Sequence, residues 1–338
     1  MERVQGVTPT VYNDLDQARL VISGHPALDV LLTSRAAPGD EGLLPRLEAE
    51  VDQVWTLTHA GRFAELSDAL GRLVPRLERA VRTVGKEGRH QAYGLLARTY
   101  QALSAAFVRQ SEADAAWVAA DRAIWAAESA GDALAVGAGV FRLVHSFVRL
   151  RRLDQAEHAA ATAISALSRH ASDGTSNAHL SVLGSLHLAL ALVHARAGER
   201  AAAREQIAEA RAVAERIGGE RNDYNLEFGP ANVEVQAVAT AVDLGDAGEA
   251  LDLAEGLDTS RLSAERQARL FMDVGRAQAQ RRRPGEALAA LLKAEELAPD
   301  IVRSHVGVRT VVRELVLVAG RGASPELRGL AERSDAAD

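Results

Sequence analysis

From Leu44 onward, apolar positions recur at helical spacing in long runs, broken by Gly-Asp, Gly-Arg or Gly-Glu pairs. Residues 1–43 are less regular. The turn-rich pieces VTPTVYNDLD and TSRAAPGDEG flank one apolar stretch, ARLVISGHPALDVLL. The pattern predicts an all-α chain in three parts: a linker-like segment with a possible first helix over 1–43, a repeat region over 44–320, and a capping helix with its tail over 321–338.

Within the repeat region a short mark recurs: a small or basic turn residue, a small or apolar residue five positions on, and another seven further. It can be read six times: Gly61-Leu66-Leu73, Ser111-Ala116-Ala123, Arg151-Ala156-Ala163, Gly198-Ala203-Ala210, Gly245-Ala250-Leu257 and Arg282-Ala287-Ala294. A small residue there lets the second helix of a hairpin lie close to the first, and the seven-residue step keeps both residues on one face. The expectation is a tetratricopeptide-like right-handed superhelix of antiparallel helix pairs, an α-α solenoid. It is degenerate, because Ala116, Ala156, Ala203, Ala250 and Ala287 are separated by 40, 47, 47 and 37 residues, whereas the strict repeat is about 34 long.

That register predicts which side chains face the concave groove. First helices counted from near Ala97, Gly137, Gly184, Ala231 and Ala268 direct Arg98, Gln101 and Arg109 inward, then Phe141, His145 and Arg149. Later helices add Ser185 and Arg196, Asn232 and Asp243, then Arg269, Met272, Arg276 and Gln280. The line is polar and mostly basic with occasional apolar groups, which suits an acidic peptide or a polar small molecule with one apolar part. A merely solvated surface is the alternative.

The same register puts Phe107, Phe147, His187 and His194 at packing positions. His179, His187 and His194 share a helical face, but two turns separate neighbours by roughly 10 Å, too far for one metal ion. Trp117 and Trp125 share a face as well, with core packing as the expected reason and a pocket wall as the alternative.

Composition narrows the classes. Hydrophobic residues make up 47% of the chain and aromatics only 4%, a balance that favours close-packed helices over sheets. The net charge of −7 gives no global case for nucleic-acid binding. There is no cysteine, which excludes disulfides, thiolate nucleophiles and cysteine-ligated metals. No signal peptide and no membrane span of about 20 apolar residues is read from the sequence, so a cytoplasmic protein without a membrane partner is expected. No GxSxG, HExxH, Walker or GxGxxG motif occurs. No cofactor, metal or catalytic residue is therefore assigned, and an enzyme using the groove stays a motif-less alternative.

NDYNLEFGPANVEVQAVATAVDLGDAGEAL, residues 222–251, resembles the actinobacterial XRE-type (helix-turn-helix) transcriptional regulators in their tetratricopeptide-like C-terminal region. AAWVAADRAIWAAESAGD, HLSVLGSLHLALALVHARAG, the tail over 261–316 and SPELRGLAER are similar to the same family, so the resemblance spans roughly 44–333. It implies a repeat region that senses a small molecule or partner and controls a DNA-binding head. Residues 1–43 resemble the linker that follows such a head, so the head is expected to be absent and no sequence-specific nucleic-acid binding is expected of this chain. A homodimer through the apolar VVRELVLV helix is the accompanying expectation, with intramolecular capping as its alternative. A protein-interaction scaffold remains open beside the sensor.

The FGPANV element fits the entrance to a helix. Pro230 suits a first turn, where its missing N–H costs nothing, and Gly229 permits a sharp approach. Asn232 is expected to project into the groove. Tyr224, with Asn225 and Glu227 on the incoming loop, and Phe228 are placed to close over a ligand. The alternative is that the motif only fixes a long connection between repeats.

Overall fold

The computed structural model describes residues 14–25, 28, 32, 42–172 and 174–336. The expected linker pieces around VTPTVYNDLD and TSRAAPGDEG lie almost wholly outside them. A short helix, α1 (Asp16–Ile22), does form in this region. It buries Leu15, Ala18 and Ile22 in the core, and Arg19 ties it to Glu112 and Asp114.

Six helix pairs follow, and each pair turns at one of the six marks. The pairs are α2 (Leu43–Ala60) with α3 (Phe63–Thr83), α4 (Lys86–Arg109) with α5 (Ala113–Ser129), and α6 (Ala133–Arg149) with α7 (Leu153–Arg169). Next come α8 (Asn177–Ala197) with α9 (Arg200–Ile217), α10 (Pro230–Asp243) with α11 (Ala247–Ala254), and α12 (Ala264–Gln280) with α13 (Pro284–Leu297). The turn residues Gly61, Ser111, Arg151, Gly198, Gly245 and Arg282 all adopt positive φ, between 58° and 81°. In each turn the following N–H reaches back five residues: Arg62 to Leu57, Glu112 to Phe107, Arg152 to Phe147, Glu199 to His194, Asp246 to Ala241 and Arg283 to Gln278, at 2.8–3.1 Å. That is the long bond of a left-handed helix terminator, which satisfies a carbonyl the helix end would leave open. Five residues on, Leu66, Ala116, Ala156, Ala203, Ala250 and Ala287 are all fully buried.

The first helix of each pair also packs on the first helix of the next: α2 on α4, α4 on α6, α6 on α8, α8 on α10 and α10 on α12, and α12 packs in turn on α15 (Val306–Ala319). The first helices therefore form one continuous layer, and α3, α5, α7, α9, α11 and α13 back it. This is an all-α helical-repeat arrangement of the solenoid type. Among the described residues the only β-type contact is an isolated pairing of Arg221 with Phe228.

The array curls until its ends meet. Arg109, at the end of α4, donates to the Thr58 carbonyl of α2 at 2.9 Å and clasps Glu265 of α12. The turn at Gly61 abuts Ile301 of α14 (Pro299–Ser304), where an added Cβ would sit 2.8 Å from Ile301 Cγ1. At the C-terminus α16 (Pro325–Arg333) packs on α15 and buries Leu327, Leu330 and Ala331.

Two expectations are corrected. Trp125 and Trp117 are 51% and 38% exposed, not core residues. The buried stripe of α5 is alanine, and the indoles lie at its margin against Tyr93 and Phe147. Helix α8 is long and apolar enough to cross a bilayer, contrary to the sequence reading, but 83% of that stretch is buried inside the protein. It packs against α6, α7, α9 and α10, so its apolar girth belongs to an interior helix.

Candidate functional site

Helix α6 carries the first part of the site. Asp132 caps it by accepting the Ala135 N–H at 2.9 Å, and Ala138, Phe141, Val144 and Phe147 fill its core side. The stripe Arg142-His145-Arg149, spaced i, i+3, i+7, runs along another side toward the inside of the array. Arg142 donates to the Asn225 carbonyl at 2.8 Å and lies over the Trp55 ring, 5.4 Å from its centroid. Burial, reinforced by Arg109 and Arg266, pulls its guanidinium down to about 9. The His145 ring sits 4.5 Å from that of Phe141. Burial, with Arg142, Arg269, Arg149 and Arg266 around it, lowers His145 to about 3, so it is a neutral imidazole at ordinary pH.

Arg149 makes no hydrogen bond and no ion pair with the described residues. Neighbouring protein atoms partly desolvate its guanidinium, and Arg269 and Arg196 add like charge. Together they push it below its ordinary value, although Asp243 partly offsets them and the side chain is exposed along the groove.

Helix α12 supplies the facing stripe. Glu265 accepts both bonds of Arg109 at 2.7 Å and two from Arg269 at 3.2 and 3.1 Å. Burial alone would raise the Glu265 carboxyl, but Arg109, His59, Arg269 and Arg266 hold it well below the usual carboxylate range. Farther along, Arg276 bonds Asp273 at 2.7 Å and Asp243 at 2.6 Å, while Arg196 reaches the same Asp243 at 2.9 Å. His305, which caps α15, is lowered to about 3 by burial and by Arg269, Arg149, Arg276 and Arg196.

Seven arginines (109, 142, 149, 196, 266, 269 and 276) thus share the interior with four carboxylates, Glu227, Glu265, Asp243 and Asp273. In a chain of net charge −7 this inner face carries the opposite sign. Charge-assisted guanidinium bonds to a carboxylate or phosphate are what such a surface offers. His59, Glu227 and Glu265 bring ligand atoms within 4.8 Å of one another, but arginines already hold both carboxylates, so the trio reads as part of the ion-pair network.

Of the residues expected in the groove, Arg109, His145, Arg149, Arg196, Asp243, Arg269 and Arg276 meet in this network. The others take different places. Phe141 and Met272 are 8% and 2% exposed in the core. Phe228 is wholly buried against Gly184, where no Cβ would fit. Asn232 is buried and donates to the Glu227 carbonyl at 2.5 Å. The Tyr224 hydroxyl donates to Asp132 at 3.1 Å. Gln101 and Ser185 are buried, Arg98 pairs with Asp52, and Gln280 donates to the Val242 carbonyl.

The sequence reading missed Arg142, Glu265, Arg266, His59 and His305. The i, i+3, i+7 stripe on α6 was the available signal for Arg142.

Two open clefts of about 590 and 430 Å³ lie elsewhere, one between Gln17 and Pro75, the other around Arg204, Asp246 and Arg281. Neither shares a residue with the arginine-lined interior. No known protein-family profile matches the sequence, and no curated protein is significantly similar to it.

Proposed function

We propose that the chain is the ligand-sensing repeat domain of a transcriptional-regulator-like protein, and that its inner face binds an anionic small molecule or acidic peptide. The tetratricopeptide-like superhelix and the relation to XRE-type regulators belong to this proposal. Six helix pairs with identical turns support the first, and the FGPANV element with the family-like 44–333 span supports the second.

The observation that carries the binding reading is Arg149. It is a cation without a partner among the described residues, crowded by Arg196 and Arg269, and an anion between them relieves the repulsion of all three. These arginines come from α6, α8 and α12. A ligand that bridges them favours the curvature that brings those helices together, and differential affinity for that curvature is how binding becomes a signal.

Inorganic pyrophosphate is a suitable compact probe. In calorimetry R149E should weaken its binding by more than ~1.5 kcal/mol, the lower end for a charged hydrogen bond, with an unchanged helical circular dichroism spectrum. Wild-type affinity in a folded R149E chain would remove Arg149 from the site.

A further inference from the structure

Part of the interior is filled by the chain itself. The connection between α9 and α10 closes at its base, where the Arg221 N–H donates to the Phe228 carbonyl at 2.9 Å. Phe228 anchors that base in the notch at Gly184. Beyond the anchor, the tip is held in an unfavourable backbone shape. Tyr224, Asn225 and Glu227 have φ of 52°, 55° and 51°, left-handed conformations that asparagine tolerates but that tyrosine and glutamate keep only where contacts enforce them.

The enforcing contacts have the form of ligand recognition. Arg142 takes the Asn225 carbonyl at 2.8 Å, and Arg266 takes the Leu226 carbonyl at 3.3 Å and the Glu227 carboxylate at 2.8 Å. Leu226 is 2% exposed, packed with the core on the inner side of α6 and α8. Two main-chain carbonyls, an apolar side chain and a carboxylate are together the signature of a peptide, which a compact anion cannot reproduce.

We propose that residues 222–227 are a built-in occupant of the groove, and that the sensed ligand is an acidic peptide whose carboxylate and carbonyls replace those of the tip on Arg266 and Arg142. This rests on the reading of the interior as an anion-binding face. Release of the tip relieves the backbone strain at Tyr224 and Glu227, while the Arg221–Phe228 base keeps the fold closed, so the exchange is local.

The test is calorimetry of the full chain with a synthetic hexapeptide of the sequence DYNLEF, that of residues 223–228. E227Q removes the internal carboxylate and should bind the peptide about tenfold more tightly than wild type. Y224F, which drops the bonds to Asp132, should shift affinity in the same direction and decides the matter if E227Q fails to fold. A peptide with glutamine in place of its glutamate should lose the gain. Amide exchange at 222–227 should quicken when the DYNLEF peptide binds. Folded E227Q and Y224F chains that bind the peptide no better than wild type would overturn the proposal, as would no binding to any chain. If pyrophosphate still binds in an Arg149-dependent way, only the built-in occupant is lost; if neither probe binds, the anion-binding reading falls as well.

Discussion

His145 and His305 are both held neutral, near 3 against an ordinary 6.5, by burial and by the surrounding arginines. In the unfolded chain the same imidazoles take up protons below about 6.5. Between the two values the unfolded state binds more protons, so stability falls as pH drops through that window, by up to ~1.4 kcal/mol per pH unit for each histidine. Glu265 acts lower down. Its depressed carboxyl contributes stability above the ordinary value of 4.5 that is lost as pH falls beneath it. Urea melts at pH 7 and pH 5 span the upper part of the histidine window and stay above that of Glu265. Comparison with H145N singles out the His145 share from that of other groups such as the upward-shifted Asp273. We expect wild type to lose stability between them, and H145N to lose about half as much. An equal loss in H145N would mean that His145 is not held neutral.

At the scale of the helix pair, the turns are where local sequence and structure agree most closely. All six turn residues were legible, because a left-handed helix terminator followed by a close helix crossing needs particular residues at fixed offsets. Three of the six positions are not glycine: Ser111, Arg151 and Arg282, at φ of 64°, 58° and 58°. The left-handed strain exceeds the entropy that glycine adds to the unfolded chain. S111G and R282G, both at exposed positions, should therefore each stabilise the protein by ~0.5–1 kcal/mol. The midpoint of denaturant unfolding reports this directly, and a lowered midpoint in both would show that the turns are not strained. The faces of the first helices were less legible. Each residue turns the helix by about 100°, so a small error in register confuses neighbours. Phe141 and Met272 were placed in the groove and pack in the core, while Arg142, one position along, was missed.

Across the whole molecule, the interior depends on contacts that no local pattern encodes. Arg109 and Glu265 are 156 positions apart and meet only because the array curls from the second pair to the sixth. The tip at 222–227 is similar: FGPANV is recognisable as a helix entrance, but that its loop lies inside the array follows from the curl. Solvated arginines and an arginine-lined receptor read alike in one dimension. The fold adds that seven guanidinium groups face four carboxylates, and that Arg149 has no partner among the described residues. The proposed function therefore requires that anions bind inside the array and not on its outer clefts. Hydrogen–deuterium exchange of the full chain with and without pyrophosphate tests it most directly. Protection should appear around Arg149, Arg196 and Arg269 on α6, α8 and α12, and should vanish in R149E. Protection confined to the cleft at Gln17 and Pro75, or to that at Arg204 and Arg281, would contradict it.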